Sequence, residues 1–131
     1  MATIFTKIVR GEIPAHKVAE NEHYLAFLDI HPLAKGHTLV IPKKEVDNVF
    51  DLDQQTYSGL WLFAQKVALG IGKAIPCERV GVAVIGLEVP HAHIHLVPVN
   101  GIYDIDFSKP KLELSSDEFQ IIARRISDAL V

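Results

Sequence analysis

The sequence predicts an α+β fold, an antiparallel sheet of about five short strands with helices against one face. Three observations carry this. Short β-branched or alternating runs recur between turn signals at about 16–20, 24–30, 37–41, 79–85 and 92–99. One long apolar stripe at helical spacing occupies about 54–73. A second helical stripe, headed by a capping-box pattern, closes the chain over about 115–130.

Taken in order, Ile4, Phe5, Ile8 and Val9 recur at helical spacing before Gly11, which predicts a short helix over about 4–10. Ile13-Pro14 breaks regular structure, His16 to Glu20 reads as a strand, Asn21-Glu22 as a turn, and Tyr24 to Ile30 as the hairpin partner. His31-Pro32 ends that strand, a loop reaches Gly36, and His37 to Ile41 makes the third strand before Pro42. Asp53 caps the main helix, whose stripe is Tyr57, Leu60, Trp61, Ala64, Val67, Ala68 and Ile71. Gly70 and Gly72 weaken its last turn and Pro76 forbids its continuation. Arg79 to Ile85 and Ala92 to Val99 follow as strands joined through Gly86 to Pro90. Ser115 with Glu118 forms the capping box, and Phe119, Ile122, Ile126 and Ala129 mark the buried face of the last helix. No repeat or linker divides the 131 residues, so one domain over 1–131 is expected.

Composition excludes several classes. Hydrophobic residues make up 49% and charged residues 22%, ordinary for a globular chain, and no apolar run reaches the roughly 18 residues of a membrane span. A formal charge of −3 opposes broad nucleic-acid binding, which relies on clustered Lys and Arg. Met1 to Lys7 lacks the sustained apolar stretch of a secretory signal, and Cys77 alone permits no internal disulfide. A cytoplasmic protein is the expectation, with no nucleic-acid partner and no membrane association.

Chemistry concentrates in Pro90 to Pro98, where His91, His93 and His95 stand at two-residue spacing. On a strand this period sets three imidazoles on one face and Ala92, Ile94 and Leu96 on the other. Three readings stay open on the residues alone. The row is a solvated polar face, or a transition-metal site of His91, His93 and His95, or a centre for nucleophilic and acid–base chemistry on an anionic group. No H-E-x-x-H or paired-cysteine spacing supports the metal. His16, His23 and His31 sit at turns or strand ends and are expected to face solvent.

His91-Ala92-His93-Ile94-His95-Leu96-Val97 resembles the signature of the histidine triad (HIT) family of nucleotide hydrolases and transferases. Ile4 to Pro14, Leu25 to Ile30 and Gly36 to Lys44 resemble three further family segments in the right order, most like the Hint-like branch. The resemblance implies a HIT-like fold with a core at about 3–99 and a C-terminal extension running 36 residues beyond His95. That extension is expected to cover exposed sheet or a dimer surface.

For function, the resemblance implies cleavage of a nucleoside 5′-monophosphate conjugate, a phosphoramidate or phosphoanhydride, at its α-phosphorus. His93 would be the nucleophile of a covalent intermediate, His95 and His37 would bind the phosphate oxygens, and His91 would hold the network. Asp29 would take the ribose hydroxyls, and Phe5, Ile8, Ile13, Phe27 and Ile30 would form an apolar slot for a purine base. The scheme implies no metal and no cofactor, and a two-fold homodimer. Leu87, Glu88 and Glu45 depart from the family pattern of Gln, Ser and His, and a nucleotide-binding regulatory protein with little turnover is the alternative.

Overall fold

Thr3 begins the first helix by accepting the Thr6 amide on its side-chain oxygen, which satisfies one orphan donor of α1 (Ile4–Val9) in the computed structural model, where residues 2–130 are described. Gly11 ends that turn at φ 77°, a conformation that costs glycine little. Of the helix, Phe5, Thr6 and Ile8 are buried.

β1 (Lys17–Glu20) and β2 (Tyr24–Leu28) form a hairpin whose turn is fastened by the Asn21 side chain, which accepts the amides of His23 and Tyr24. β3 (Thr38–Pro42) follows, then a single 3-10 turn at Val49–Asp51 and the long α2 (Gln54–Ala74). Asp53 caps α2, taking the Thr56 amide at 3.1 Å and the Thr56 hydroxyl at 2.6 Å. β4 (Arg79–Ala83), β5 (Ile94–Val99) and α3 (Ser116–Ala129) complete the chain, and both halves of the Ser115–Glu118 capping box are formed. The sheet has five strands in the order β1-β2-β3-β5-β4, every pair antiparallel.

Helices occupy both faces of this sheet rather than one. Ala26, Leu28, Val40, Ile94 and Leu96 point to the face covered by α2 and α3, where Leu60, Val67, Ile71, Phe119, Ile122 and Ile126 meet them. Leu25, Phe27, Leu39 and Ile41 point the other way and are covered by Phe5 and Ile8 of α1. The strands between are apolar on both faces, apart from Thr38 and His95, because both faces are filled. His95 lies opposite Leu39 in the ladder, and so belongs to the α1 face.

Strand ends differ from expectation by one or two residues, most at β2, which stops at Leu28 rather than Ile30, and at β4 and β5. β4 ends at Ala83 and β5 begins at Ile94, two residues after the expected Ala92. The cause is Pro42, which has no N–H to give β5 and whose carbonyl is taken by the His91 ring at 2.8 Å. The Ala92 amide turns instead to the Val46 carbonyl at 2.7 Å. His91 and His93 therefore sit on the extended approach to β5. His16, expected in solvent, is half-buried and stacks on Phe119 with ring centroids 5.1 Å apart. Among the described residues no helix is long and apolar enough to cross a membrane.

Candidate active site

His91 is fully buried, and its Nε2–H donates to the Pro42 carbonyl at 2.8 Å. A neutral ring then has a lone pair on Nδ1, where the Thr3 hydroxyl donates at 2.9 Å. Thr3 is free to do so because the neighbouring Thr6 hydroxyl gives its proton to Glu45 Oε1 at 2.6 Å. The same Glu45 oxygen accepts the Thr3 amide at 2.8 Å. These bonds, that of Thr6 first, hold the Glu45 carboxyl below the usual range, and burial pushes the His91 imidazole below its ordinary value.

His93 is buried two residues on, and its Nδ1 lies 2.6 Å from the His91 carbonyl oxygen. A carbonyl only accepts, so Nδ1 carries the proton and Nε2 keeps its lone pair. The Phe5 ring packs edge-to-face at 5.1 Å and limits how the imidazole can turn.

His37 and His95 form a second pair with Nε2 and Nδ1 3.0 Å apart. The direction of this bond follows from Leu33, whose amide donates to His37 Nδ1 at 3.0 Å. With Nδ1 accepting, neutral His37 carries its proton on Nε2 and gives it to His95 Nδ1, which leaves the His95 proton on Nε2. Burial is the main cause that holds His37 at about 3 and His95 at about 4, so both rings are neutral near pH 7. Asp29 Oδ2 lies 3.6 Å from His37 Nε2, a carboxylate beside a neutral ring and not an ion pair. Asp29 Oδ1 accepts the His31 amide at 2.8 Å, and burial raises the Asp29 carboxyl above its ordinary value.

Asp29, His37 and His95 each offer a ligand atom, all within 4.8 Å of one another. A metal-bound imidazole normally donates from its other nitrogen, whereas His37 Nδ1 receives the Leu33 amide and leaves Nε2 protonated. This donor set does not suit a metal. Neither does the row of His91, His93 and His95, because both nitrogens of His91 are engaged by Thr3 and Pro42.

Of the apolar residues, Phe5, Ile8 and Phe27 are packed in the core beneath α1, with Phe5 and Phe27 5.5 Å apart, and Ile13 is partly buried against them. Ile30 is 59% exposed beside Asp29. On the other side of His93 a cleft of about 280 Å³ is lined by Asn48, Phe50, Ile85, Leu87, Ala92 and His93 among others. Leu87 borders it and is 88% exposed, while Glu88 points to solvent. Sequence reasoning missed Thr3, Thr6, Leu33 and Phe107, and noticed Glu45 only as a departure. Phe107, whose ring lies 4.8 Å from His95, carried no motif that would have marked it.

Five antiparallel strands with a row of buried, hydrogen-bonded imidazoles on one face define a histidine-triad fold. The model of the HIT domain matches residues 10–101, and the chain belongs to this family. The adenosine 5′-monophosphoramidase of Schizosaccharomyces pombe is 35% identical over 136 residues, covering 99% of each chain. The enzyme of that name from Saccharomyces cerevisiae is 35% identical over 102 residues, covering 74% of this chain and 62% of its own. Among solved structures, a HIT-like protein of Bartonella henselae involved in cell-cycle regulation superimposes with a TM-score of 0.86 at 33% identity, over 97% of this chain and 95% of that one. A zinc-bound histidine triad protein of Mycobacterium smegmatis gives 0.84 at 29% identity, over 99% and 94%. The matches to the S. pombe, B. henselae and M. smegmatis proteins span 97–99% of this chain and so take in the C-terminal extension.

Proposed function

We propose that the protein hydrolyses purine nucleoside 5′-monophosphate conjugates, phosphoramidates first, through a covalent nucleotidyl–His93. The observation that carries this is the 2.6 Å bond from His93 Nδ1–H to the His91 carbonyl, which leaves the nucleophilic lone pair on Nε2. In the proposed first step Nε2 attacks the α-phosphorus, the bond from phosphorus to the leaving nitrogen or oxygen breaks, and the leaving group takes a proton from solvent. Water then attacks phosphorus, the P–Nε2 bond breaks, and the monophosphate departs as water's proton passes to solvent. His95 Nε2–H donates to a phosphate oxygen as charge gathers there. Asp29 accepts from the ribose hydroxyls, and Phe5, Ile8, Ile13, Phe27 and Ile30 bound the base.

The monophosphoramidase relatives support this choice of substrate. The test is turnover of AMP-tryptamine and AMP-lysine conjugates by wild type and His93→Ala. Loss of about 10³-fold or more in the variant is expected, and equal rates would sink the mechanism. A binding protein with little turnover is the second reading, favoured by exposed Leu87 and Glu88 in the loop before the triad. Calorimetry that finds AMP binding beside no hydrolysis selects it.

The proposal includes a cytoplasmic setting, one domain for the whole chain and a two-fold dimer. β4 is an outer strand of the sheet, and Val82, Val84 and Ile85 stand 48%, 37% and 48% exposed along and just beyond it. A second copy pairing there covers both the open backbone and the apolar side chains.

A further inference from the structure

Beyond residue 101, where the family match ends, the chain stays on the histidine face of the sheet. The Asp104 carboxylate accepts the amides of Asn100 and Gly101 at 2.6 and 2.9 Å and turns the chain back. Ile105 then fills the space above Gly81 of β4, where an added Cβ would stand 2.7 Å from its Cδ1. Phe107 comes next, with its ring 4.8 Å from His95 at 68° and 6.2 Å from His37 at 67°.

The far end is tied as well. The Lys111 ammonium donates to the carbonyls of Phe107 at 2.6 Å and Lys109 at 3.0 Å, and the Lys109 ammonium to the Tyr103 carbonyl at 2.6 Å. The Leu112 amide donates to the Pro32 carbonyl at 2.8 Å, next to the Leu33 amide that orients His37. The segment therefore crosses from β4 over β5 to the β2–β3 loop, fastened at both ends.

We propose that residues 102–112 form a second wall of the histidine site, and that Phe107 is a positioning residue for His95. Its ring excludes water from the His37–His95 hydrogen bond and so fixes where His95 Nε2–H points. Water at either ring would stabilise the imidazolium and compete for the bond, and an aromatic ring in edge-to-face contact leaves no room for it. The titratable groups near His95 are His37, His93 and Asp29, while Lys111 of the segment acts on His37. Burial outweighs them in holding His95 at about 4. The inference rests on the proposed function only where turnover is read.

The experiment uses full-length F107A and F107L. Histidine ring protons are titrated by NMR, with His95→Gln as the assignment, and kcat and KM for AMP-tryptamine are followed against pH. In F107A the His95 titration is expected to rise from about 4 toward the ordinary value of about 6.5. The acid limb of kcat rises with it while KM changes by less than about threefold, and F107L stays near wild type. An unmoved His95 titration in folded F107A overturns the proposal. So does F107L moving as far as F107A, since bulk would then not be what excludes water. Phe107→Val carries the same comparison where F107A does not fold. If wild type hydrolyses no conjugate, the proposed function falls, and the NMR titration still decides the role of Phe107.

Discussion

A histidine can attack phosphorus only when one nitrogen is unprotonated and held in place, and in this protein a neighbouring residue's backbone does the holding. His91→Ala keeps the carbonyl that accepts from His93 but loses the bonds to Pro42 and Thr3. It should lower kcat by roughly 10- to 100-fold, less than His93→Ala, and reduce stability by about 2–3 kcal/mol. Steady-state kinetics and urea unfolding check both. His37 and His95 are neutral in the folded state at about 3 and about 4, whereas their unfolded counterparts take up protons below about 6.5. The unfolded chain therefore binds more protons as pH falls below 6.5, and stability falls with it. About 2 kcal/mol for each ring, on the order of 4 kcal/mol together, should be lost between pH 7 and pH 5, read from urea midpoints. An unchanged midpoint would refute it. The histidines and Asp29 were legible because their spacing and flanking segments are local. Thr3 and Glu45 were not, since the first meets His91 across 88 positions and the second lies 39 from Thr6, and only the folded chain brings them together.

At the level of elements, α2 tolerates a glycine in its second turn for a steric reason. A Cβ at Gly59 would overlap the Tyr24 hydroxyl and stand 2.7 Å from Tyr24 Cζ. Tyr24 cannot easily yield, because it donates to the Thr56 carbonyl at 3.1 Å and stacks on Phe63. Gly59→Ala gains about 1 kcal/mol of helix propensity and meets an overpacking cost of about 1–3 kcal/mol. A net loss of up to about 2 kcal/mol is expected by thermal or urea unfolding. α3 is integral to the same core. Ile126 is completely buried, and Ile126→Ala should cost about 2–5 kcal/mol by the same measurement. Strand and helix periods made these elements readable in advance. The side taken by α1 was not readable, because six residues with a short apolar face record that they pack and not which face of the sheet receives them.

For the molecule as a whole, β4 is the strand on which the proposed dimer depends. Val82→Lys places a charge on the outer edge and should convert a dimer to a monomer in sedimentation at micromolar concentration. Wild type sedimenting only as a monomer would remove the dimer. The sheet order was not legible in the sequence, because the interposition of β5 between β3 and β4 is a choice among long-range pairings. The His93 tautomer is set within two residues, but the bonds that hold His91 and join His37 to His95 share that long-range character. Thr3 reaches His91 across 88 positions and His37 reaches His95 across 58. Contacts of this span close late in folding, because chain entropy is spent on them before they return anything. A refolding chain thus passes through forms that have helices but lack the Thr3–His91 and His37–His95 bonds around the proposed nucleophile. Recovery of turnover should lag behind recovery of fluorescence from Trp61, the single tryptophan, and the interval is the time the imidazoles spend waiting for both ends of the chain to arrive.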